Sequence, residues 1–482
     1  MPRTVLIVVL SVLTFSTGPL TPGLALAQSN PFKLAPLSAD EQQAINTVTL
    51  KDVRATISFL ASDEMAGRDT PSRELDIATA YVAARFRGAG LAGGGDDGSF
   101  YQEHQLPLST PPRDGISITI GPENVKHRGV LAALPDAVDL SGNITVLGSQ
   151  KSDSDLTEVV VVDEVKLNPQ FAGNTRYILS MYSRRIVPLA KKGAKVVLVT
   201  TADDSRLPAV VQSLLEKPSQ PPRRFPIPCP IVLIGSAAIP DGTAKVVVPA
   251  VESSGSTVRN VIGVLKGSDP RLSSEAVIVT AHLDHIGRAS AGPDRINNGA
   301  DDNASGVTGV LMMADAFAQL KQRPKRSVVF MTFWGEEKGL MGSKHFVEHP
   351  LWPLDRVVAN VNLEMIGRPE DGAESKAWMT GWEHSDLGSL LAAGAKRADI
   401  EIFNHKRFGK MLYNASDNFP FVQSGVIAHS ISAGSLHPDY HQPGDEWEKL
   451  NLPHMTKVIQ GLVAATLPIA NGDLTPKPTP GK

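Results

Sequence analysis

His282 with Asp284, Asp302 among the glycines at 299 and 306, and the pair Glu336-Glu337 follow one another along this 482-residue chain, close to the ends of successive apolar runs. Neutral imidazole and carboxylate oxygen are the donors that a zinc-type cation prefers, and a hydrolytic site keeps one position open for water. Two neighbouring cations need a carboxylate between them. Asp302, at the mouth of an expected helix, is placed to bridge, and a second cation can then clamp attacking and leaving atoms. Taken singly, each residue has a plainer reading. A histidine after a strand is commonly a hydrogen-bonded structural residue, a Glu-Glu pair a solvated turn, and acidic residues before a helix answer its dipole. Their joint occurrence in this order points to metal-assisted hydrolysis.

Such residues must be brought together by the elements that carry them. Residues 276–280, 327–333 and 357–363 are continuous apolar runs of the kind that forms strands buried on both faces. Between the first two, Val307, Val310, Leu311, Ala314 and Phe317 recur at the spacing of an amphipathic helix. This alternation predicts an α/β domain over 251–470 with a mixed, largely parallel sheet flanked by helices. In open sheets of that kind, ligands gather at the carboxyl ends of the strands. His282, Asp284, Glu336, Glu337 and Glu364 then share one edge.

Upstream, 116–250 changes texture to short β-branched runs at 144–146, 159–162, 195–199 and 231–234, broken by a proline-rich stretch at 217–230. It carries no His, Asp and Glu cluster of ligand spacing, and reads as an inserted β-rich domain without chemistry of its own. Residues 28–115 read as a helical N-terminal part of the main domain. Ser38 with Glu41 and Thr49 with Asp52 have capping-box spacing, and a further helix is expected from about Glu74 to Phe86. Gly88-Ala89-Gly90-Leu91-Ala92-Gly93 spells a dinucleotide-binding fingerprint, but it follows a helix where that motif requires a strand, so it reads as a helix stop and loop. The proline-rich end, 471–482, is expected to be disordered.

The 47 basic and 50 acidic residues nearly balance, and no long block of one sign occurs, which argues against nucleic acid as a partner. A single cysteine, Cys229, excludes an intramolecular disulfide. The first residues combine Arg3, an apolar run from Val5 to about Phe15 and Ala25-Leu26-Ala27 before Gln28. That pattern predicts a signal peptide over 1–27, a mature chain that is secreted or periplasmic, and no membrane anchor once the signal is removed.

With these motifs in view, the chain resembles the co-catalytic dizinc aminopeptidase family, which also contains the glutamate carboxypeptidases. HLDHIG at 282–287, NGADDNASG at 298–306, FWGEEKGLMGS at 333–343, NLEMIGR at 362–368, SDNFPF at 416–421 and DYHQPGDEW at 439–447 carry the likeness. LASDEMAGR at 60–68 is similar to the family's secreted members, and 116–250 resembles a protease-associated domain, best at 189–199. The resemblance implies a zinc-exopeptidase fold and two Zn2+ ions per chain. His282 and Glu364 would hold one ion, Glu337 and His441 the other, with Asp302 between them. It further implies Glu336 as general base, Asp284 as the carboxylate that orients His282, Tyr440 as a donor to the oxyanion, and a cis bond between Asp302 and Asn303. His437 is the rival of His441; the family pattern of Tyr, ligand, then an acidic residue favours His441, followed by Asp445. One departure is Glu364, where the family usually has Asp, so this carboxylate arrives on a stem one methylene longer.

The implied activity is removal of N-terminal residues from peptide substrates by water, with Glu336 moving the proton. A carboxypeptidase on the same scaffold would use the same ligands. A two-metal phosphoesterase is disfavoured by the Glu-Glu pair and the late Tyr-His. A non-catalytic binding protein built around the protease-associated domain would have lost ligands, whereas five candidate ligands and the base are all present.

Overall fold

The computed structural model describes residues 32, 34–151, 154–168, 175–216, 227–236, 239, 242–289, 292–434 and 436–480. The signal peptide expected over 1–27 lies outside them. From residue 34 onward the chain opens on three helices whose starts are legible in the sequence. α1 (Ala39–Asn46) has a complete capping box in which Ser38 and Glu41 satisfy each other's backbone N–H groups. α2 (Leu50–Leu60) starts on the Thr49 hydroxyl, and α3 (Arg73–Gly88) starts on Ser72 and ends at Gly88.

The expectation that 28–115 is helical needs correction. After the short β1 (Ala92–Gly93), β2 (Tyr101–Thr110) is a ten-residue strand, paired antiparallel with 252–261. Its buried positions include Gln102 beside Leu106 and Leu108. A polar residue on the inward face hides the alternation by which such a strand would be recognised.

Residues 117–248 form a sheet of their own. Its strands are β3 (Ser117–Ile120), β4 (Glu123–Asn124), β5 (His127–Ala132), β6 (Val138–Gly148), β7 (Val159–Asp163), β8 (Val196–Thr201), β9 (Ile231–Gly235) and β10 (Thr243–Val248), in the order β4-β3-β10-β6-β7-β8-β9-β5. The pairs from β6 through β9 are parallel. The segment expected to be β-rich thus also holds two helices, α4 (Thr175–Lys191) and α5 (Leu207–Glu216). The reason is visible in Val159 to Val162, where every position is apolar and both faces need cover. Val160 and Val162 pack with Ile178, Tyr182 and Ile186 of α4, while Val159 and Val161 pack with Ile118, Ile120, Val246 and Val248.

The main sheet adds β11 (Glu252–Leu265), β12 (Ala276–His282), β13 (Ser327–Phe333), β14 (Val357–Leu363), β15 (Lys376–Met379), β16 (Glu401–Phe403) and β17 (Ala428–Ser432). Its order is β1-β11-β13-β12-β14-β17-β15-β16, with β2 beside β11. The central pairs β12/β13, β12/β14 and β14/β17 are parallel, and β11/β13 and β15/β17 antiparallel. The chain therefore has the mixed α/β fold that its apolar runs predict, with parallel strands at the centre of the sheet and antiparallel pairs on either side rather than a largely parallel sheet. Every residue of β12 and β13 is buried.

Helices α6 (Gly306–Ala318), α7 (Met341–Glu348), α8 (Leu387–Ala395), α9 (Phe408–Met411), α10 (Asn418–Gln423) and α11 (Leu452–Ala470) complete the domain. α6 is buried almost all round rather than amphipathic, because it packs against the sheet while α2, α3 and α11 also lean on it. No helix among the described residues is long and apolar enough to cross a membrane.

The end expected to be disordered after 470 is held instead as far as residue 480. The buried Arg326 donates to the carbonyls of Ile469 at 2.7 Å and Leu474 at 2.9 Å, to Thr475 Oγ1 at 2.8 Å and to Glu275 Oε2 at 2.7 Å. Composition describes the tail's low apolar content, but not a buried guanidinium that needs acceptors. Arg326→Ala should lower unfolding stability by about 1–3 kcal/mol, the cost of leaving such partners unpaired. It should also make 471–480 sensitive to protease. Urea melts and limited digestion check this; an unchanged midpoint with a protected tail would contradict it.

Candidate metal centre

His282 is the last residue of β12, Glu336 and Glu337 come three and four residues after β13, and Glu364 directly follows β14. Because these strands run parallel, all of them arrive at one edge. Asp302 comes from an irregular turn, 300–305, that leads into α6, and its bond to Asn303 is cis. His441 sits in the loop after β17 with a left-handed backbone (φ 57°), a conformation that non-glycine residues adopt where surrounding structure imposes it.

The sequence-expected ligands fall into two groups that share Asp302. Its Oδ1 lies 3.3 Å from His282 Nε2, which is also 3.2 Å from Glu364 Oε1. Its Oδ2 lies 3.1 Å from His441 Nε2, which is equally 3.1 Å from Glu337 Oε1. One carboxylate therefore faces both ways. His437, the rival of His441, stands apart: its Nε2 is 3.4 Å from Asp301 Oδ2, and its Nδ1 is 3.2 Å from the Arg368 guanidinium. Tyr440 stacks on His441 with ring centroids 3.9 Å apart and lines the same small cavity as His282, Asp302, Glu336 and Glu364.

Asp284 does not orient His282 in the way expected. His282 Nδ1 is 3.0 Å from the Asp284 backbone carbonyl, while the Asp284 carboxylate is 3.9 Å away. That carboxylate instead accepts from the backbone N–H of Glu336 at 3.1 Å and from Thr70 Oγ1 at 3.1 Å. Thr70 Oγ1 also accepts from Gly335 N–H at 3.1 Å. An acceptor buried beside the β13 turn answers otherwise orphaned N–H groups there, so Asp284 pins the turn that presents Glu336.

Several residues of the site were not read as such from the sequence. His285 is one: its Nδ1 lies 2.9 Å from Glu337 Oε1 and 3.7 Å from Asp302 Oδ2, inside the second ligand group. It stands in the HLDHIG motif, but a strand-and-turn reading assigns it no direction. Asp445 accepts from the backbone N–H groups of Asp301 and Asp302 at 3.1 Å, and so holds the turn that presents the bridge. Ser416 donates a very short hydrogen bond to Glu364 Oε2 and accepts from Asn362 Nδ2 at 3.0 Å. Arg68, fully buried, donates to the carbonyls of Leu60, Leu283, Asn298 and Gly299, tying α2, the end of β12 and the glycine turn together. No local pattern marks such long-range partners.

The electrostatics say what the arrangement lacks. Burial, then Glu337, pushes the Asp284 carboxyl up to about 6, and burial carries Asp417 to about 7. Burial and crowding by Glu337, Asp417 and Glu364 hold Glu336 well above the usual carboxylate range. Against the pull of burial, Glu337 and Asp302 raise His441 to about 11, and Glu364 with Glu336 keep His282 well above an ordinary imidazole. Carboxyls drawn toward protons and imidazoles drawn toward cations mark a pocket with more negative charge than its side chains neutralise. His441 Nε2 is buried and close to two carboxylates, yet aligned with neither for a hydrogen bond. A buried ring nitrogen left without a hydrogen bond between converging carboxylates fits a divalent cation.

Comparison with known proteins follows the same lines. Residues 260–466 match the profile of peptidase family M28. Aminopeptidase YwaD of Bacillus subtilis (strain 168) is 27% identical over 236 residues, which cover 46% of this chain and 47% of that relative. The chain thus spans about half the length of this curated relative. Among solved structures, an aminopeptidase from Aneurinibacillus sp. strain AM-1 has a similar fold, with TM-score 0.53 and 20% identity over 89% of this chain and 96% of that one. BSAP, a zinc aminopeptidase from Bacillus subtilis, is similar at TM-score 0.54 and 19% identity, over 87% and 94% of the two chains.

Removing cations with a chelator should lower the melting temperature, and zinc should restore it, since a cation at a hundredfold excess over its Kd stabilises by about 2.7 kcal/mol. Asp302→Ala should abolish most of that zinc-induced shift, because both groups lose a ligand. Glu364→Ala should keep part of it. Differential scanning fluorimetry with and without zinc reads the three shifts; equal shifts in Asp302→Ala and wild type would contradict a shared bridge.

Proposed function

We propose that this chain, whose residues 260–466 match peptidase family M28, is a secreted zinc-dependent exopeptidase that releases N-terminal residues from peptides, holding two zinc ions. The observation that carries this reading is Asp302, whose two oxygens face His282 with Glu364 on one side and His441 with Glu337 on the other. Glu336, which lines one cavity with His282, Asp302 and Glu364, supports it further. When bound, zinc supplies Lewis acidity toward water and toward a carbonyl oxygen.

The chain's own residues divide the remaining work. Glu336, presented by the turn that Asp284 pins, takes the proton of the attacking water and returns it to the leaving amine. Tyr440, held by its stack on His441, donates its hydroxyl toward the oxyanion. Met365, Trp378, Leu412, Ala415 and Leu436 give the cavity of about 80 Å3 beside them an apolar wall suited to an apolar side chain. Its described lining includes Glu336 and Glu364 but no lysine or arginine. Glu336 offers opposite charge to a free α-ammonium, and the described lining offers no guanidinium or ammonium to clamp a C-terminal carboxylate, which favours the aminopeptidase reading over the carboxypeptidase one.

Residues 1–27, read as a signal peptide, place the reaction outside the cytoplasm, and the 116–250 segment is read as a protease-associated insert. Intact mass of exported protein should lack about 27 residues, the length implied by the cleavage pattern. A retained Met1 on exported protein would oppose this.

Two activity tests separate the possibilities. Glu336→Gln, loaded with zinc, should keep its metal and fold but lose at least about 100-fold in kcat, since a positioned acid-base group contributes about 10² to 10⁴. Near-normal turnover would remove Glu336 from the mechanism. Leucyl peptides with a free amine should be cleaved from that end and their N-acetylated forms left intact. Release of C-terminal residues from the acetylated peptides would instead identify a carboxypeptidase.

A further inference from the structure

A second cavity, of about 390 Å3, opens away from the metal centre and shares no lining residue with the cavity beside it. Its walls are Ile262 and Val264 of β11, Val329 and Met331 of β13, Phe346 of α7, and Trp352. The volume is in the range of small-molecule sites, which are mostly apolar with a few placed polar groups. Gly93, Gly94 and Gly95 form one side. At Gly94 a Cβ would come within 2.7 Å of both Ile262 Cγ2 and Val264 Cγ2, so a side chain there would press into this wall. These glycines continue the run that starts at Gly88 and that the metal centre does not use.

The residues at its rim give the cavity direction. Lys266 is exposed at its lining and makes no ion pair among the described residues. Trp352 contributes its ring to the wall, while its indole Nε1 is buried away from the opening. Leu351, beside it, is 40% exposed, an apolar side chain that flanks the opening.

We propose that this cavity binds a small amphipathic carboxylate, with its hydrocarbon body against Ile262, Val264, Met331 and Phe346 and its anionic head beside Lys266. An apolar interior rewards the chain, and a single cation selects the charge of the head. This site is independent of the peptidase reading.

Octanoate titrated into the zinc-loaded full-length protein by calorimetry tests it, with octanol as the neutral counterpart. Octanoate should bind once per chain and at least tenfold more tightly than octanol. Lys266→Glu should weaken octanoate by tenfold or more, leave octanol little changed and strengthen octylamine. Leu351→Trp, which narrows the mouth from an exposed position, should weaken all three, and both variants should retain wild-type melting temperature and peptide turnover. Octanoate could also meet the metal centre, and that outcome is distinct: affinity would be unchanged in both variants, and octanoate would inhibit competitively. Such a result, an absence of saturable binding, or equal affinity for octanoate and octanol in wild type would each overturn the proposal.

Discussion

Negative charge packed where water is scarce governs this structure. Asp284, Asp302, Glu336, Glu337, Glu364 and Asp417 all lie around three histidines, His282, His285 and His441, at the carboxyl edge of one sheet, and most of them are buried. Unpaired burial of even one carboxylate is costly, and the remedies are a proton, a cationic partner or a metal. Glu336 and Asp417 are drawn toward a proton, while His282 and His441 are drawn toward positive charge beside Asp302 and Glu337, which those histidines hold ionised. Two divalent cations divided by Asp302 would answer that demand, and in our account folding and metal binding here are linked.

Around that charge the scaffold spends its polar contacts on loop position. Parallel strands deliver the residues to one edge, but the edge itself is irregular backbone, and each of its turns is tied by a distant group. Asp445 holds the turn of Asp302, Asp284 and Thr70 hold the turn of Glu336, and Ser416 fixes the longer reach of Glu364. Arg68 joins three segments through backbone carbonyls alone, and burial lowers its pKa to about 10. Buried hydrogen-bonded groups of this kind keep a site from drifting, where small displacements cost catalysis.

How much of this is legible in the sequence depends on how far apart the partners lie. Continuous apolar runs at 276–280, 327–333 and 357–363 foretell buried parallel strands, and strand direction alone then collects His282, Glu337 and Glu364 at one edge. Helix starts at Ser38 and Thr49 are equally local and equally readable. β2 is not, because Gln102 occupies an inward position and is satisfied there by the His349 carbonyl at 2.7 Å and by the Asn260 amide. Nor is the ordered end at 471–480, whose anchor Arg326 lies about 150 residues upstream. Within the site, the hydrogen bond from the Glu336 N–H gives the Asp284 carboxylate a different role from the one the family resemblance implies. His285 is invisible for a related reason: a histidine's direction after a strand end is set by the turn, and no pattern reports it.

The account rests on two cations sharing one carboxylate, and the most direct test is to count them. Native mass spectrometry of the folded, active protein, supported by elemental analysis, reads metal ions per chain. Two zinc ions in wild type, falling below two in Asp302→Ala, is the predicted result. A fully active wild-type chain that carries a single ion, or none, would contradict it.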